Sequence, residues 1–329
     1  MKYLLRISFY AVSILFLGFR VYSEEPLKKI VVARDNSGDY TTIQEAVNSV
    51  RDYKDERTVI FIKNGVYKEK LEIPFWKTNI SFIGERVENT IIDYDDYSGK
   101  DGIRTFTSYT VKVSGNDFYA ENITFLNSAG PVGQAVALHI EADRCVFRNC
   151  RFLGNQDTML ANGEGSRHFF SECYIEGTTD FIFGSATAIF QNCHIHSKKN
   201  SYVTASSTPE DINYGYVFLN CKLTADTSVN KVYLGRPWRP YARVVYIKCD
   251  LGKHIVPEGW HNWNRPEREL TAFYAEYKNT GAGSDTTSRV SWSRQLTDNE
   301  AAEYTLQNIF STNRKVQDPD KNWYSFKIQ

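Results

Sequence analysis

Two aspartates occupy equivalent places in one short pattern. Cys150 and Cys173 each open C-x-x-x-G-x-x-D, in the segments CRFLGNQD and CYIEGTTD, which sets Asp157 and Asp180 23 residues apart. If each copy is one coil of a stacked solenoid, residues in the same register lie one strand spacing apart, about 4.8 Å. Two carboxyl groups that close do not both ionise readily, so one keeps its proton while the other stays charged. That division of labour suits acid/base and nucleophilic chemistry. Other catalytic templates fail on the sequence. There is no G-x-S-x-G elbow, since Ser166 sits in GEGSR, and the six histidines form no triad or zinc motif. His194 and His196 alternate beside Cys193 as structural strand residues would, and neither a GxGxxG nor a Walker loop occurs.

The elements that must position these carboxylates repeat along the chain. ENITF, NCRF, ECYI, NCHI, NCKL and KCDL recur at Ile123, Cys150, Cys173, Cys193, Cys221 and Cys249, at intervals of 27, 23, 20, 28 and 28 residues. Each copy alternates apolar and polar residues as a half-buried strand does, and the variable stretches between them read as loops. A parallel β-helix fits this spacing. A propeller needs longer four-stranded units with hairpin turns, and Asn-Gly or Asp-Gly signals are few.

In such a coil the cysteines and Ile123 form an internal ladder, with Asn122, Asn149, Asn192 and Asn220 as a second ladder at a turn. Small buried thiols and mutually bonded amides account for both. No metal spacing accompanies them. Neighbouring rungs lie within disulfide reach, so a bridge such as Cys173 to Cys193 is allowed, with the pairing open. Solenoid ends need caps. TTIQEAVNSV places Ile43, Ala46, Val47 and Val50 on one helical face behind a Thr42 cap, and Thr297 with Glu300 makes a capping box before AAEYTLQNIF. The tail after Ser311 is expected to pack along the outside.

Composition sets the limits. The 329 residues are 42% hydrophobic and 24% charged, enough for one large core, and the 21 tyrosines, 20 phenylalanines and 6 tryptophans suit a β-rich interior or a sugar-binding surface. Lys2 and Arg6 precede an apolar run from Ile7 to Phe19, with Val21 and Ser23 before Glu24, which reads as a secretory signal over residues 1–23. The run is shorter than the roughly 20 residues a spanning helix needs. Removing Lys2, Arg6 and Arg20 leaves 36 basic residues against 39 acidic ones. That balance does not suit a nucleic-acid binder.

The chain resembles the pectin methylesterases (pectinesterases). GVYKE at Gly65–Glu69, QAVAL at Gln134–Leu138, QDT at Gln156–Thr158, DFIFG at Asp180–Gly184 and LGRPW at Leu234–Trp238 look like that family's signatures, in order along most of the chain. The resemblance implies a single-stranded right-handed parallel β-helix, a catalytic domain over residues 24–329, and a groove for homogalacturonan. It implies Asp180 as the nucleophile, Asp157 as the general acid/base, Gln134 and Gln156 as oxyanion donors, and Arg236 as the partner of Asp180. It also places Gln134, Arg236, Trp238, Thr110 and Phe181 at the substrate.

The expectation is therefore a secreted esterase that releases methanol from pectin without cofactor or metal, acting as a monomer on a polysaccharide partner and on no nucleic acid or membrane. No inhibitor-like helical segment is expected before the catalytic part. One departure stands out: QDTMLA replaces the family's QDTLY, which leaves a sugar-contacting aromatic in question. A β-helical glycoside hydrolase or lyase is the alternative enzyme, and a non-catalytic carbohydrate binder the alternative class. A hydrolase needs carboxylates across a glycosidic bond and a calcium-dependent lyase needs a larger acidic cluster, whereas this chain sets two glutamines beside its aspartates.

Overall fold

The computed structural model describes residues 28–311 and 322–327. The N-terminal segment read as a secretory signal lies outside the described residues.

Strands join three parallel sheets of eleven, eight and seven strands, and the chain visits them in turn. One coil runs through Cys145–Arg148, Arg151–Leu153 and Met159–Ala161; the next runs through Arg167–Ser171, Tyr174–Gly177 and Ile182–Gly184. Paired strands are parallel throughout, which makes a right-handed parallel β-helix, the hand that parallel crossovers favour. Residue types explain the stacking. Phe147, Phe170, Phe190, Phe218 and Tyr246 point inward from successive coils of the first sheet, with ring centroids 5.0, 4.8, 4.6 and 4.3 Å apart and planes within 10°. Burying each such ring is worth roughly 1.5–3 kcal/mol, so much of the aromatic content serves the core.

The cysteine ladder is internal, as its spacing predicts. All six thiols are buried and unpaired, so the bridge allowed between Cys173 and Cys193 is not formed. The residue before each rung has a further role. Asn122, Asn149, Asn192 and Asn220 all adopt left-handed backbone, φ 44° to 59°, and so do Glu172 and Lys248 at the same corner. Asparagine enters this conformation more readily than other side-chain-bearing residues. Amide-to-amide bonding is present in the first pair, where Asn149 donates to Asn122 at 2.7 Å. The repeated requirement is the corner.

Both caps form. The helix Ile43–Ser49 begins at Thr42, whose hydroxyl accepts from Glu45 N, and it buries Ile43, Ala46 and Val47, with Val50 buried at its end. Thr297 and Glu300 make the reciprocal capping box of Asp298–Ala302, and Leu306–Ser311 follows. Ile309, Phe310 and Trp323 then cover Tyr119, Val146, Phe169 and Ile189 on the outer face of the first sheet. Two long connections rise beside the third sheet. Residues 95–110 carry the short turns Lys100–Gly102 and Thr105–Thr107, and residues 252–272 carry Trp263 and the turn Pro266–Leu270.

Candidate active site

The outer face of the third sheet forms the floor of a cleft of about 190 Å³. Strand alternation decides what faces it. Leu138 and Ile140 point inward while His139 points out, and the outward register continues through Leu160, Phe183, Ala205 and Arg236. The two long connections make the walls, with Thr105 and Phe106 on one side and Trp263 on the other, joined there by Trp238 at the end of the strand Tyr233–Pro237.

Asp157 and Asp180 enter this cleft from the corner between the second and third sheets. The coils pair in one unbroken register, Leu153 with Glu176 before the corner and Met159 with Ile182 after it, so the aspartates lie on adjacent rungs as the repeat predicts. Asp157 N donates to Thr179 O and Asp180 N to Tyr202 O. The corner also explains the glycine of C-x-x-x-G-x-x-D. A Cβ at Gly154 would strike the Thr158 side chain, and one at Gly177 would strike Phe181, in each case the residue after the aspartate. The pattern thus couples a close approach to a carboxylate's position.

The electrostatics separate the pair. Asp157 is pushed up to about 8, first by burial and then by the neighbouring Asp180 charge, against a weaker opposing bond from Gln134. Burial also raises Asp180, but Arg236 opposes it. The guanidinium is bidentate, with Nε 2.9 Å from Oδ1 and Nη2 2.7 Å from Oδ2. Arg236 is itself clamped between rings, 3.9 Å from the Tyr202 centroid and 3.6 Å from that of Trp263. Of the two carboxyl groups, Asp180 is the one held as an anion and Asp157 the one that keeps a proton.

Gln134 and Gln156 sit side by side on adjacent coils and both line the cleft. Gln134 donates from Nε2 to Asp157 Oδ2 at 3.1 Å and accepts at Oε1 from the Thr105 hydroxyl at 2.7 Å. Its main-chain carbonyl accepts from Ser98 N at 2.8 Å, so the 95–110 connection holds it at two points. Trp238 lines the cleft and packs against Phe183, 5.9 Å between centroids, with Phe106 offset across it at 6.4 Å.

Two expected substrate contacts are corrected. Phe181 is fully buried within the interior cluster, because the chain turns inward directly after Asp180. Phe183 takes the cleft position instead. Thr110 is also fully buried, and its hydroxyl donates to Leu126 O, which leaves it inside the wall. Of the QDTMLA departure, Met159 is a core residue and Leu160 lies under Phe183 in the floor. Thr105, Phe106 and Trp263 were missed, since they come from irregular connections with no register to read. Phe183 was legible: counting alternation from the inward Ile182 selects it.

The pectinesterase family model matches residues 29–313. Pectinesterase 31 of Arabidopsis thaliana is 42% identical over 288 residues, covering 84% of this chain and 90% of that protein. The chain spans about half the length of several other curated pectinesterases that it matches. Among solved structures, the carrot pectin methylesterase superposes with a TM-score of 0.83 at 36% identity, covering 91% of this chain and 97% of that one. A pectin methylesterase in complex with a hexasaccharide gives a TM-score of 0.75 at 30% identity, covering 88% and 98%.

Proposed function

Since the chain belongs to the pectinesterase family and is a carboxylic ester hydrolase acting on pectin, we propose that Asp180 is its nucleophile and Asp157 its general acid/base. The observation that carries this reading is the opposite treatment of two buried carboxyl groups on adjacent rungs. Asp180 is bonded through both oxygens to Arg236, whereas Asp157 is buried with only an amide donor.

The chemistry follows from those states. An Asp180 oxygen attacks the C6 carbonyl carbon of a methyl galacturonate unit, and the carbonyl oxygen takes up the electron pair. The amides of Gln134 and Gln156 offer neutral donors to that oxyanion without competing with Arg236 for Asp180. As the tetrahedral intermediate collapses, protonated Asp157 gives its proton to the departing methoxy oxygen and methanol leaves, with an acyl-Asp180 anhydride remaining. Asp157, now charged, takes a proton from water as the water attacks the acyl carbon. Asp180 is released as carboxylate, the product unit forms as a carboxylic acid that gives the second water proton to solvent and becomes a carboxylate, and Asp157 holds a proton again. Trp238, Phe106 and Phe183 give the sugar rings apolar faces to pack on. The enzyme acts outside the cytoplasm as a monomer after loss of residues 1–23.

Asp180→Ala tests the assignment. The variant should release no methanol from methyl-esterified pectin and retain wild-type circular dichroism; measurable turnover in the folded variant would falsify the nucleophile. Absorbance of unsaturated products, followed in the same reaction, separates an esterase from a lyase.

A further inference from the structure

Trp263 covers one face of Arg236 from a backbone that a bulky residue seldom adopts. Its φ is 64° and that of Asn264 is 54°, so two consecutive residues stand in the left-handed region. Such a conformation persists only where its surroundings hold it. Two side chains do so in the same way. Asn262 Oδ1 accepts from Asn264 N at 2.9 Å, and His261 Nδ1 accepts from Trp263 N at 3.0 Å, each reaching two residues along the chain.

His261 is also tied to the strand that carries Arg236. Its main-chain N–H donates to Gly235 O at 3.1 Å, and its ring packs 5.3 Å from the centroids of both Tyr202 and Tyr233. The contacts close on themselves. Tyr202 covers one face of Arg236, Trp263 covers the other, Trp263 is bonded to His261, and His261 packs on Tyr202. Of these four residues, the histidine alone changes its bonding in the mildly acidic range. Its Nδ1 accepts only while that nitrogen carries no proton.

We propose that His261 is a positioning residue for Arg236, and through it for the Asp180 carboxylate: the neutral imidazole holds Trp263 against the guanidinium, and protonation releases it. This role rests on the esterase reading above and adds a pH-sensitive support behind its nucleophile. The surroundings favour the neutral form. The pKa of His261 is lowered from 6.5, first by burial and then by Arg236. Arg268 brings a second guanidinium, 5.7 Å from the Trp263 ring. Asp180 has both oxygens on Arg236, and Tyr202 and Tyr233 bring uncharged phenol rings. The remaining acid is Glu258, which is exposed and is felt at Tyr233, whose pKa is raised by burial and then by that carboxylate.

Methanol release followed against pH in the wild type, His261→Asn and His261→Phe tests the coupling. Asparagine keeps an acceptor two residues before Trp263, as Asn262 does before Asn264, but does not titrate. Phenylalanine keeps a ring against the tyrosines and loses the acceptor. At neutral pH, His261→Phe should lose about five- to tenfold in kcat, the scale of one hydrogen bond, with a smaller change in KM, and His261→Asn should recover most of the loss. The ratio of wild-type to His261→Asn kcat cancels the titration of Asp180 itself. It should be constant at neutral pH and above, and fall by about the same factor as the pH drops below 6.5. A flat ratio, a His261→Phe enzyme with wild-type kcat, or an Asn variant as slow as the Phe variant overturns the positioning role and leaves the esterase reading intact. Should a variant fail to fold, the wild type decides by nuclear magnetic resonance: the Trp263 amide signal should move with the same pH midpoint as the His261 imidazole, and an amide indifferent to that titration overturns the role. A wild type that releases no methanol at any pH overturns the esterase reading, and the positioning role with it.

Discussion

Asp157 and Asp180 share one register on adjacent coils, and both hold left-handed backbone, φ 64° and 50°. Few side-chain-bearing residues tolerate that conformation, and aspartate is among them. The corner that aims the carboxyl groups into the cleft therefore also narrows which residues can stand there. Placing both on one face at one strand spacing sets the acid/base behaviour of the site.

The first expected outcome is a pH profile. Acylation needs Asp157 protonated and Asp180 ionised. With Asp157 at about 8, kcat/KM for methanol release should fall on an alkaline limb near that pH. Asp157→Asn should lose this limb and slow both half-reactions. A wild-type limb that survives unchanged in the variant would remove Asp157 from its role.

Stability should answer in the opposite sense to activity. The folded-state pKa of Asp157 lies above its ordinary value of 3.8, so the native state binds the proton more tightly than the unfolded chain. Below about pH 4 both states are protonated and the group costs nothing. As pH rises toward 8 the unfolded chain gains by ionising and the native state does not, so stability is lost across that window. Asp157→Asn should accordingly stabilise the fold at pH 8, by on the order of a few kcal/mol, and have little effect at pH 4. Urea unfolding at the two pH values reads the difference.

Arg236 fixes Asp180 by shape as well as by charge. Arg236→Lys keeps the cation but loses the two-point contact and the packing between Tyr202 and Trp263. The kcat should drop by about a hundredfold, in line with the loss of a positioned charge contact in a buried site. Because Arg236 is what opposes the burial of Asp180, the acid limb of the profile should also move to higher pH. A Lys variant with the wild-type limb would show that the guanidinium only supports the wall.

Gly177 offers a test of the repeat itself. A Cβ there would collide with the Cβ of Phe181, a core side chain that cannot swing away without opening the interior. Gly177→Ala should destabilise the protein by roughly 1–3 kcal/mol, as overpacking does, and reduce kcat by displacing Asp180. An exposed position that does not line the cleft, as in Ser228→Ala, serves as the control.

The coils were legible because a solenoid repeats its demands. Each turn needs an inward residue at the cysteine rung, Cys in five of the six copies, and a left-handed corner before it, which Asn marks in four. Asp157 and Asp180 were legible for the same reason, being attached to that register, whereas Gln134, Gln156 and Arg236 were reached through the family resemblance. Phe181 misled because aromatic character says nothing about which side of a corner a ring leaves. Thr105, Phe106 and Trp263 were silent. They arrive on connections whose lengths vary from coil to coil, and their positions depend on packing against the cleft rather than on any period.

Thr105 shows what such a connection contributes. Its hydroxyl donates to Gln134 Oε1 at 2.7 Å, which leaves Nε2 directed at Asp157. Without that partner the amide loses its anchor, and a reversed amide would set an oxygen against the charged form of Asp157. Thr105→Val should therefore lower kcat by about tenfold with a smaller change in KM, the loss of one neutral hydrogen bond being worth about 1 kcal/mol. The donor bond from Gln134 holds Asp157 down, so loosening it should also shift the alkaline limb upward. Thr105→Ser restores the hydroxyl and should recover both. If Val and Ser variants behave alike, the threonine matters through packing of the wall, and the positioning of Gln134 must come from Ser98 and the chain alone.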